Sequence, residues 1–157
     1  MIAPAPRKFL FVCTGNICRS PVAQFLAERL AEEAGLPWRT ASAGVAAEVG
    51  WAMEAGAVRA LAARGIVNKS HAARQLDAAM MDEAHEIYAL TRAHRDTIVS
   101  RFPKQASKVA VLREAAGLPG PDVFDPYGMN DAAYERCTNL IEEALNAIIQ
   151  RTTHANR

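Results

Sequence analysis

The stretch Lys8–Pro21 reads KFLFVCTGNICRSP and decides the fold. Its apolar run Phe9–Val12 lacks polar alternation, which is typical of a strand buried on both faces of a sheet. Gly15 and Asn16 tolerate a positive φ, and Pro21 is favoured in the first turn of a helix. The stretch therefore predicts a strand, a tight turn and a helix start, with the backbone N–H groups of the turn converging on one point.

Three side chains of this turn have the chemistry of a phosphoryl-transfer site. The turn, named the phosphate loop (residues 13–20), ends at a helix N-terminus, where backbone N–H groups bind oxyanions. Such surroundings favour the thiolate form of Cys13, and the planar guanidinium of Arg19 can hold two phosphate oxygens at once. The Ser20 hydroxyl is close enough in sequence to hydrogen-bond that thiolate. These residues predict a cysteine nucleophile that acts on a phosphoryl group.

A purely structural role is the alternative for the same residues. Cys13 would then be a small buried residue at a strand end, and Arg19 a surface charge. The spacing between them is weak evidence by itself. The preceding strand, the Gly and Asn within the turn and the Ser-Pro that opens the helix are independent requirements, and this sequence meets them all. We therefore expect Cys13 and Arg19 to form a nucleophile site rather than to have purely structural roles.

The segment Val12–Pro21, VCTGNICRSP, resembles the active-site loop of the low-molecular-weight protein tyrosine phosphatases. The resemblance continues through Ser42–Gly44 (SAG), Ser70–Leu76 (SHAARQL) and Asp125–Tyr127 (DPY), so it extends from about residue 8 to the final helix. It implies the α/β fold of that family, a four-stranded parallel sheet in the order 2-1-3-4 with helices on both faces and the phosphate loop after strand 1.

Carried over position by position, the resemblance implies a role for each residue of the site. Cys13 is the nucleophile, Arg19 the phosphate clamp and Asp125 the general acid, and no cofactor takes part. Cleavage of a phosphoester needs a proton for the leaving oxygen, and Pro126 biases Asp125 toward an extended conformation that can hold its carboxyl over a pocket. In isolation, Asp-Pro would be read as a turn. The remaining phosphate-binding positions are Thr14, Gly15, Asn16, Ile17, Cys18 and Ser20.

Other residues are expected around the phosphate loop. Ser42 and His71 match residues that support the loop in the resembling family, whereas a solvated loop histidine is the alternative for His71. Tyr127 is expected on the pocket rim, where it can stack on an aromatic substrate. Trp51 and Met53 are at positions where relatives often carry proline-bearing sequence on the rim, and they either shape substrate access or simply pack.

Phosphotyrosine in a protein is the favoured substrate, with three alternatives. The position of Ile17 carries a branched apolar residue in the resembling tyrosine phosphatases and threonine in the protein arginine phosphatases of the same family. Thr91–His94 and the single tyrosine of Asp125–Gly128 are closer to the arginine-directed relatives. An arsenate reductase of this fold would need further cysteines near the third strand, and residues 76–100 contain none. A non-catalytic phosphate-binding module would normally lack the nucleophile or the acid.

The remaining cysteines and two histidines have more than one interpretation. Cys18 lies five positions from Cys13, so it either forms a reversible disulfide that protects the nucleophile or packs as a small residue. Cys137 falls on the apolar stripe of the last helix and is expected in the core. His85 and His94 lie near predicted helix ends and are expected at the surface.

Composition agrees with one cytoplasmic domain. The 157 residues and 17.0 kDa fit a single domain, residues 1–157, whose ends 1–6 and 152–157 are expected to fray. With 18 basic and 17 acidic residues and no basic block, nucleic acid is not an expected partner. No apolar run is long enough for a membrane span, and the N-terminal residues lack the apolar core of a signal peptide. No Cys/His cluster has zinc-ligand spacing, so no metal is expected.

Strand patterns alternate with helical patterns along the chain, which predicts a parallel sheet covered by helices. The predicted strands cover about residues 8–12, 38–42, 86–90 and 108–112, and the predicted helices cover about residues 20–34, 54–64, 77–83, 92–101 and 130 or 131 onward. The Gly- and Pro-rich stretch 117–128 is predicted to be a long functional loop. In such sheets the binding crevice lies at the carboxyl ends of the strands, where Cys13 is expected.

Overall fold

The computed structural model describes residues 5–155. Its sheet is four-stranded and parallel, in the order β2-β1-β3-β4. The strands are β1 (Arg7–Cys13), β2 (Trp38–Gly44), β3 (Glu86–Ala89) and β4 (Val109–Val111). The predicted α/β class, parallel direction and strand order are confirmed.

The central strand β1 carries the predicted nucleophile to the carboxyl edge of the sheet. It pairs with β2 so that Cys13 lies beside Gly44, and with β3 so that Val12 lies beside Ala89. From Phe9 onward β1 is buried, because strands and helices cover it on every side. This explains the continuous apolar run in its sequence.

Helices cover both faces of the sheet, as predicted. They are α1 (Arg19–Glu33), α2 (Ala55–Ala62), α3 (Ala78–Glu83), α4 (Arg92–Arg101), α5 (Leu112–Ala115) and α6 (Asp131–Ala155). On one face, Phe11 shares a buried cluster with residues of α1, α2 and α6. On the other face, Val12 belongs to a cluster that includes Met81 of α3 and Ile98 of α4. The alternation of Phe11 and Val12 therefore supplies both cores from one strand.

Three local elements differ from the prediction. A 3-10 helix over Pro103–Lys108 and the four-residue helix α5 were not expected, because such short helices have little periodicity to detect. The last helix continues through residues 152–155, where we expected fraying, and the Thr152 hydroxyl donates to the Ile148 carbonyl there. Of the other expected frayed positions, residues 5 and 6 have no regular structure, and residues 1–4, 156 and 157 lie outside the described part.

Across residues 5–155, no helix combines the length and the apolar character that a bilayer span requires.

Candidate active site

The phosphate loop connects the carboxyl end of β1 to the N-terminus of α1. Cys13 is the last residue of β1, and α1 begins at Arg19. The turn therefore lies at the switch between a buried strand and a helix, as the sequence predicts, and the N-terminus of α1 adds a partial positive charge to it.

Asn16 fixes the shape of this loop with its side chain and backbone. It has φ of 58°, in the left-handed region, and it is fully buried. Its side-chain amide donates to the Ser20 Oγ at 2.8 Å and to the Ser42 Oγ at 2.9 Å, while its Oδ1 accepts from the Arg74 backbone N–H at 2.9 Å. His71 Nε2 lies 2.7 Å from the Asn16 carbonyl oxygen and must donate, because a carbonyl only accepts. These contacts hold the loop in a conformation that few side chains tolerate.

Two neighbouring residues complete this support. The Ser42 hydroxyl donates to Gln24 Oε1 at 2.6 Å, so α1 also takes part in the network. At Gly44 an added Cβ would lie 2.4 Å from the Thr14 carbonyl oxygen. The loop therefore packs against β2 so closely that only glycine fits at this position.

The predicted nucleophile is buried at the floor of the site. Cys13 is 3% exposed, and its Sγ lies 2.9 Å from the Ser20 Oγ. Ser20 Oγ accepts from Asn16, and its own proton can point either at the sulfur or at the Ala43 carbonyl oxygen, which is farther away at 3.4 Å. Ser20 can therefore stabilise a thiolate at Cys13.

Arg19 presents an unsatisfied donor inside the site. Its guanidinium is almost buried, Nη1 donates to the Val123 carbonyl at 2.9 Å, and Nη2 lies 3.8 Å from Asp125 Oδ2. Its Nε–H is buried and has no hydrogen-bond partner within residues 5–155. A buried N–H without an acceptor is rare, and a bound anion would satisfy it.

Asp125 approaches the site from the segment between α5 and α6, which has little regular structure. Its side chain is 56% exposed, and Oδ1 accepts from the Tyr127 backbone N–H at 3.1 Å. This contact places the carboxylate at the mouth of the site, where it can exchange protons with solvent or substrate.

These groups surround a cavity of about 190 Å³, which we call the site cavity. Its lining residues are Cys13, Thr14, Gly15, Ile17, Cys18, Arg19, Asp125 and Tyr127. The predicted rim residue Tyr127 is among them and is 55% exposed. Trp51 is also exposed but does not belong to the lining, whereas Met53 is partly buried against the core.

Cys18 lines the site cavity, and its thiol is buried near Tyr134 of α6. Its Sγ lies 3.5 Å from the Tyr134 hydroxyl, and burial raises the pKa of this thiol to about 11. Cys13 and Cys18 are both free thiols, so the proposed disulfide between them stays a prediction. Cys137 is buried on α6, as predicted for a core residue, and burial raises its pKa to about 12.

The prediction for His94 was wrong, since this residue is buried rather than at the surface. It lies in the first turn of α4, is 6% exposed, and its Nε2 lies 2.8 Å from Thr14 Oγ1. A usable sequence signal exists: Thr91 caps a helix directly after β3, and the first turn of such a helix faces the carboxyl edge of the sheet. His85 is exposed, as expected.

Within the described residues, no group of three or more His, Cys, Asp or Glu side chains has an arrangement that could hold a metal ion.

Comparison with known proteins agrees with this geometry. The sequence model of the family described as low molecular weight phosphotyrosine protein phosphatase matches residues 8–156. A protein-arginine-phosphatase of Bacillus subtilis is 34% identical over 142 residues, covering 90% of this chain and 94% of that protein. A low molecular weight protein-tyrosine-phosphatase of Streptomyces coelicolor is 33% identical over 147 residues, covering 88% of this chain and 89% of that protein.

A solved structure indicates the same family. The low molecular weight protein tyrosine phosphatase from T. tengcongensis matches with a TM-score of 0.88 and 34% identity, covering 92% of this chain and 99% of that one. With a family match over nearly the whole sequence, and relatives that cover almost all of it, the chain belongs to the low molecular weight phosphotyrosine protein phosphatase family.

Proposed function

We propose that this phosphatase hydrolyses phosphotyrosine in protein substrates through a phosphocysteine intermediate on Cys13. One observation carries the proposal: the buried thiol of Cys13 and the partnerless Nε–H of Arg19 line one small cavity that has the Asp125 carboxyl at its mouth. A nucleophile, an anion clamp and a proton donor are the three groups that phosphomonoester cleavage by a cysteine requires.

In the first step, the Cys13 thiolate attacks phosphorus in line with the leaving oxygen. The S–P bond forms as the P–O bond to tyrosine breaks, and protonated Asp125 gives its proton to the phenolate. Arg19 and the backbone N–H groups of the phosphate loop hold the non-bridging oxygens as charge redistributes. The products are the dephosphorylated tyrosine residue of the substrate protein and phosphocysteine at Cys13.

In the second step, a water molecule attacks the phosphorus of the phosphocysteine. The Asp125 carboxylate, left ionised by the first step, takes a proton from this water. The S–P bond breaks, the electron pair returns to sulfur, and inorganic phosphate leaves. Ser20 stabilises the regenerated thiolate, because its hydroxyl lies 2.9 Å from the sulfur. No cofactor is needed to balance either step.

The walls of the site cavity favour an aromatic substrate. Ile17 offers a branched apolar side chain, and the exposed ring of Tyr127 lies on the same cavity. Apolar contact and ring stacking stabilise a phenol ring, whereas a guanidinium group needs hydrogen-bond acceptors. Phosphotyrosine therefore fits these walls better than phosphoarginine does.

Protein phosphoarginine is the second candidate substrate, because a relative that is 34% identical is a protein-arginine-phosphatase. The Asp125 carboxylate is an acceptor at the cavity mouth that could bind a guanidinium. Ile17 argues against phosphoarginine as the substrate, because the arginine-directed members of the family carry threonine at this position.

The test compares kcat/KM on one peptide that carries phosphotyrosine or phosphoarginine. Wild type is expected to prefer phosphotyrosine, and Ile17→Thr is expected to move the preference toward phosphoarginine. Ile17→Val is the matched control, because valine has the shape of threonine without its hydroxyl, and it should keep the wild-type preference. A wild-type enzyme that is faster on phosphoarginine would overturn the assignment.

The proposal includes a reducing compartment, the cytoplasm, as the place of action. All three cysteines are free thiols, and the reaction requires Cys13 to stay reduced.

A further inference from the structure

The buried imidazole of His94 forms a hydrogen bond with the hydroxyl of Thr14, a residue that lines the site cavity. His94 Nε2 lies 2.8 Å from Thr14 Oγ1, and this is the only hydrogen bond of that hydroxyl within residues 5–155. The backbone of His94 is held in the first turn of α4, because its N–H donates to the Thr91 side chain at 3.0 Å. Thr14 is exposed and lines the cavity. A rigid interior residue therefore orients a polar group at the surface of the site.

The imidazole is neutral at physiological pH. Burial lowers the pKa of His94 to about 4, and the positive charge of Arg19 acts in the same direction. Asp122 and Asp125 act in the opposite direction but have smaller effects. A neutral imidazole carries one proton on its two nitrogens, so only one of them can donate a hydrogen bond.

The hydrogen bonds assign that proton to Nε2. His94 Nδ1 is buried and has no partner among the described residues, so a proton there would create a buried N–H without an acceptor, which is rare in native proteins. With the proton on Nε2, His94 donates to Thr14 Oγ1. A hydroxyl has one proton and two lone pairs. Thr14 therefore keeps its own proton free to donate into the cavity.

We propose that the Thr14 hydroxyl donates a hydrogen bond to a non-bridging oxygen of the substrate phosphoryl group, and that His94 is the residue that positions it. The inference rests on the proposed function, because it names a further contact in the same site. Thr14 and Cys13 line the same cavity of about 190 Å³, so a phosphoryl group bound to Cys13 lies close to Thr14. Its hydroxyl thus adds a side-chain donor to Arg19 and the loop N–H groups.

A double-mutant cycle of Thr14→Val and His94→Leu tests the proposal. Valine keeps the shape of threonine without its hydroxyl, and leucine fills the site of the buried imidazole without a donor. A hydrogen bond to a charged oxygen predicts that each single substitution raises KM and the dissociation constant of orthophosphate about tenfold, with kcat changed less. The double variant should be no weaker than Thr14→Val alone, because His94 acts through Thr14.

Additive losses in the double variant would overturn the proposal, as would unchanged phosphate affinity in Thr14→Val. Thr14→Ser restores the hydroxyl and should recover most of the affinity, a rescue that a purely structural role would not produce. If His94→Leu does not fold, the comparison of Thr14→Val with Thr14→Ser still decides whether the Thr14 hydroxyl binds the phosphoryl group.

The His94 tautomer gives an independent readout. Long-range ¹H–¹⁵N spectra of the imidazole should show the proton on Nε2 at pH 7, whereas a proton on Nδ1 would overturn the proposal. Orthophosphate affinity needs no turnover. A wild-type protein that hydrolyses no phosphotyrosine would therefore refute the proposed function, while the binding cycle would still decide the role of Thr14.

Discussion

The Nη2 atom of Arg19 lies 3.8 Å from the Oδ2 atom of Asp125, although one side chain is almost buried and the other is 56% exposed. The proposed phosphate clamp, Arg19, therefore lies in the interior, and the proposed general acid, Asp125, lies on the solvent side of the same cavity. A bound phosphoryl group would replace the Asp125 carboxylate as the anion next to Arg19. The carboxyl would then be free to turn to the leaving oxygen.

Asp125→Asn should slow poor leaving groups far more than good ones. The variant should lose about 100-fold or more in kcat on phenyl phosphate, whose phenolate needs the proton, and much less on 4-nitrophenyl phosphate. Asp131→Asn is the matched control, because this exposed carboxylate pairs with Arg59 at 2.8 Å outside the site. Equal losses on the two substrates would remove Asp125 from the role of acid.

Cys13→Ser should abolish turnover while preserving phosphate binding. The loop N–H groups and Arg19 remain in this variant, so orthovanadate or phosphate should still bind, as calorimetry would measure. Cys137→Ala provides a control for removal of a buried thiol, because Cys137 lies on α6 outside the cavity lining. Appreciable hydrolysis by Cys13→Ser would refute the mechanism.

Mild peroxide should inactivate the enzyme reversibly through a disulfide between Cys13 and Cys18. Peroxide first converts the Cys13 thiolate to a sulfenic acid, and the Cys18 thiolate then attacks that sulfur and displaces hydroxide, which takes a proton from solvent and leaves as water. Because burial raises the pKa of Cys18 to about 11, disulfide formation should accelerate about tenfold per pH unit between pH 7 and 9. Mass spectrometry measures the formation of the disulfide between Cys13 and Cys18, and reduction with dithiothreitol should restore activity.

The control for this redox chemistry is Cys18→Ala. Without the second thiol the sulfenic acid is unprotected, so the variant should be inactivated irreversibly at lower peroxide. If the variant recovers as fully as wild type, Cys18 has only a packing role.

The free energy of unfolding should fall as the pH is lowered from about 6.5 to 4. His94 has its pKa lowered from 6.5 to about 4 in the folded protein, chiefly by burial. The neutral form is therefore favoured by folding, and this contribution is fully present above pH 6.5 and lost as His94 binds a proton at lower pH. A shift of this size corresponds to about 3 kcal/mol.

Urea denaturation at pH 7 and pH 5 measures this effect. His94→Gln should reduce the difference in stability between the two pH values, whereas His154→Gln, at an exposed position on α6, should leave it unchanged. An identical pH dependence in wild type and His94→Gln would contradict the prediction.

The sequence predicts the elements of this fold where the signal is local. β1, the phosphate loop and α1 follow one another in a single stretch, and the apolar run, the turn residues and the proline each indicate their own element. The strand order instead came from the resemblance to a known family, because spacing along a chain does not fix which strands pair. The comparisons confirm the family and the structure confirms the strand order.

The contacts that sequence reasoning missed join distant segments. Gln24 binds Ser42, the backbone of Arg74 binds Asn16, and both contacts depend on how α1 and the loop before α3 pack around the phosphate loop. His94 resembles a surface residue in its polar helix α4 and becomes buried only because the first turn of that helix faces Thr14. Tertiary packing, rather than periodicity, decides these positions.

Without a bound anion, the buried Nε–H of Arg19 has no hydrogen-bond acceptor among the described residues. An anion bound in the site cavity supplies that acceptor. Any anion that binds the Nε–H stabilises the folded state by RT ln(1 + [L]/Kd), so the product phosphate also stabilises the folded protein. At a phosphate concentration 100 times its Kd this linkage amounts to about 2.7 kcal/mol. The persistence of the native protein is thereby tied to the phosphate level of its surroundings, whether or not it is turning over substrate.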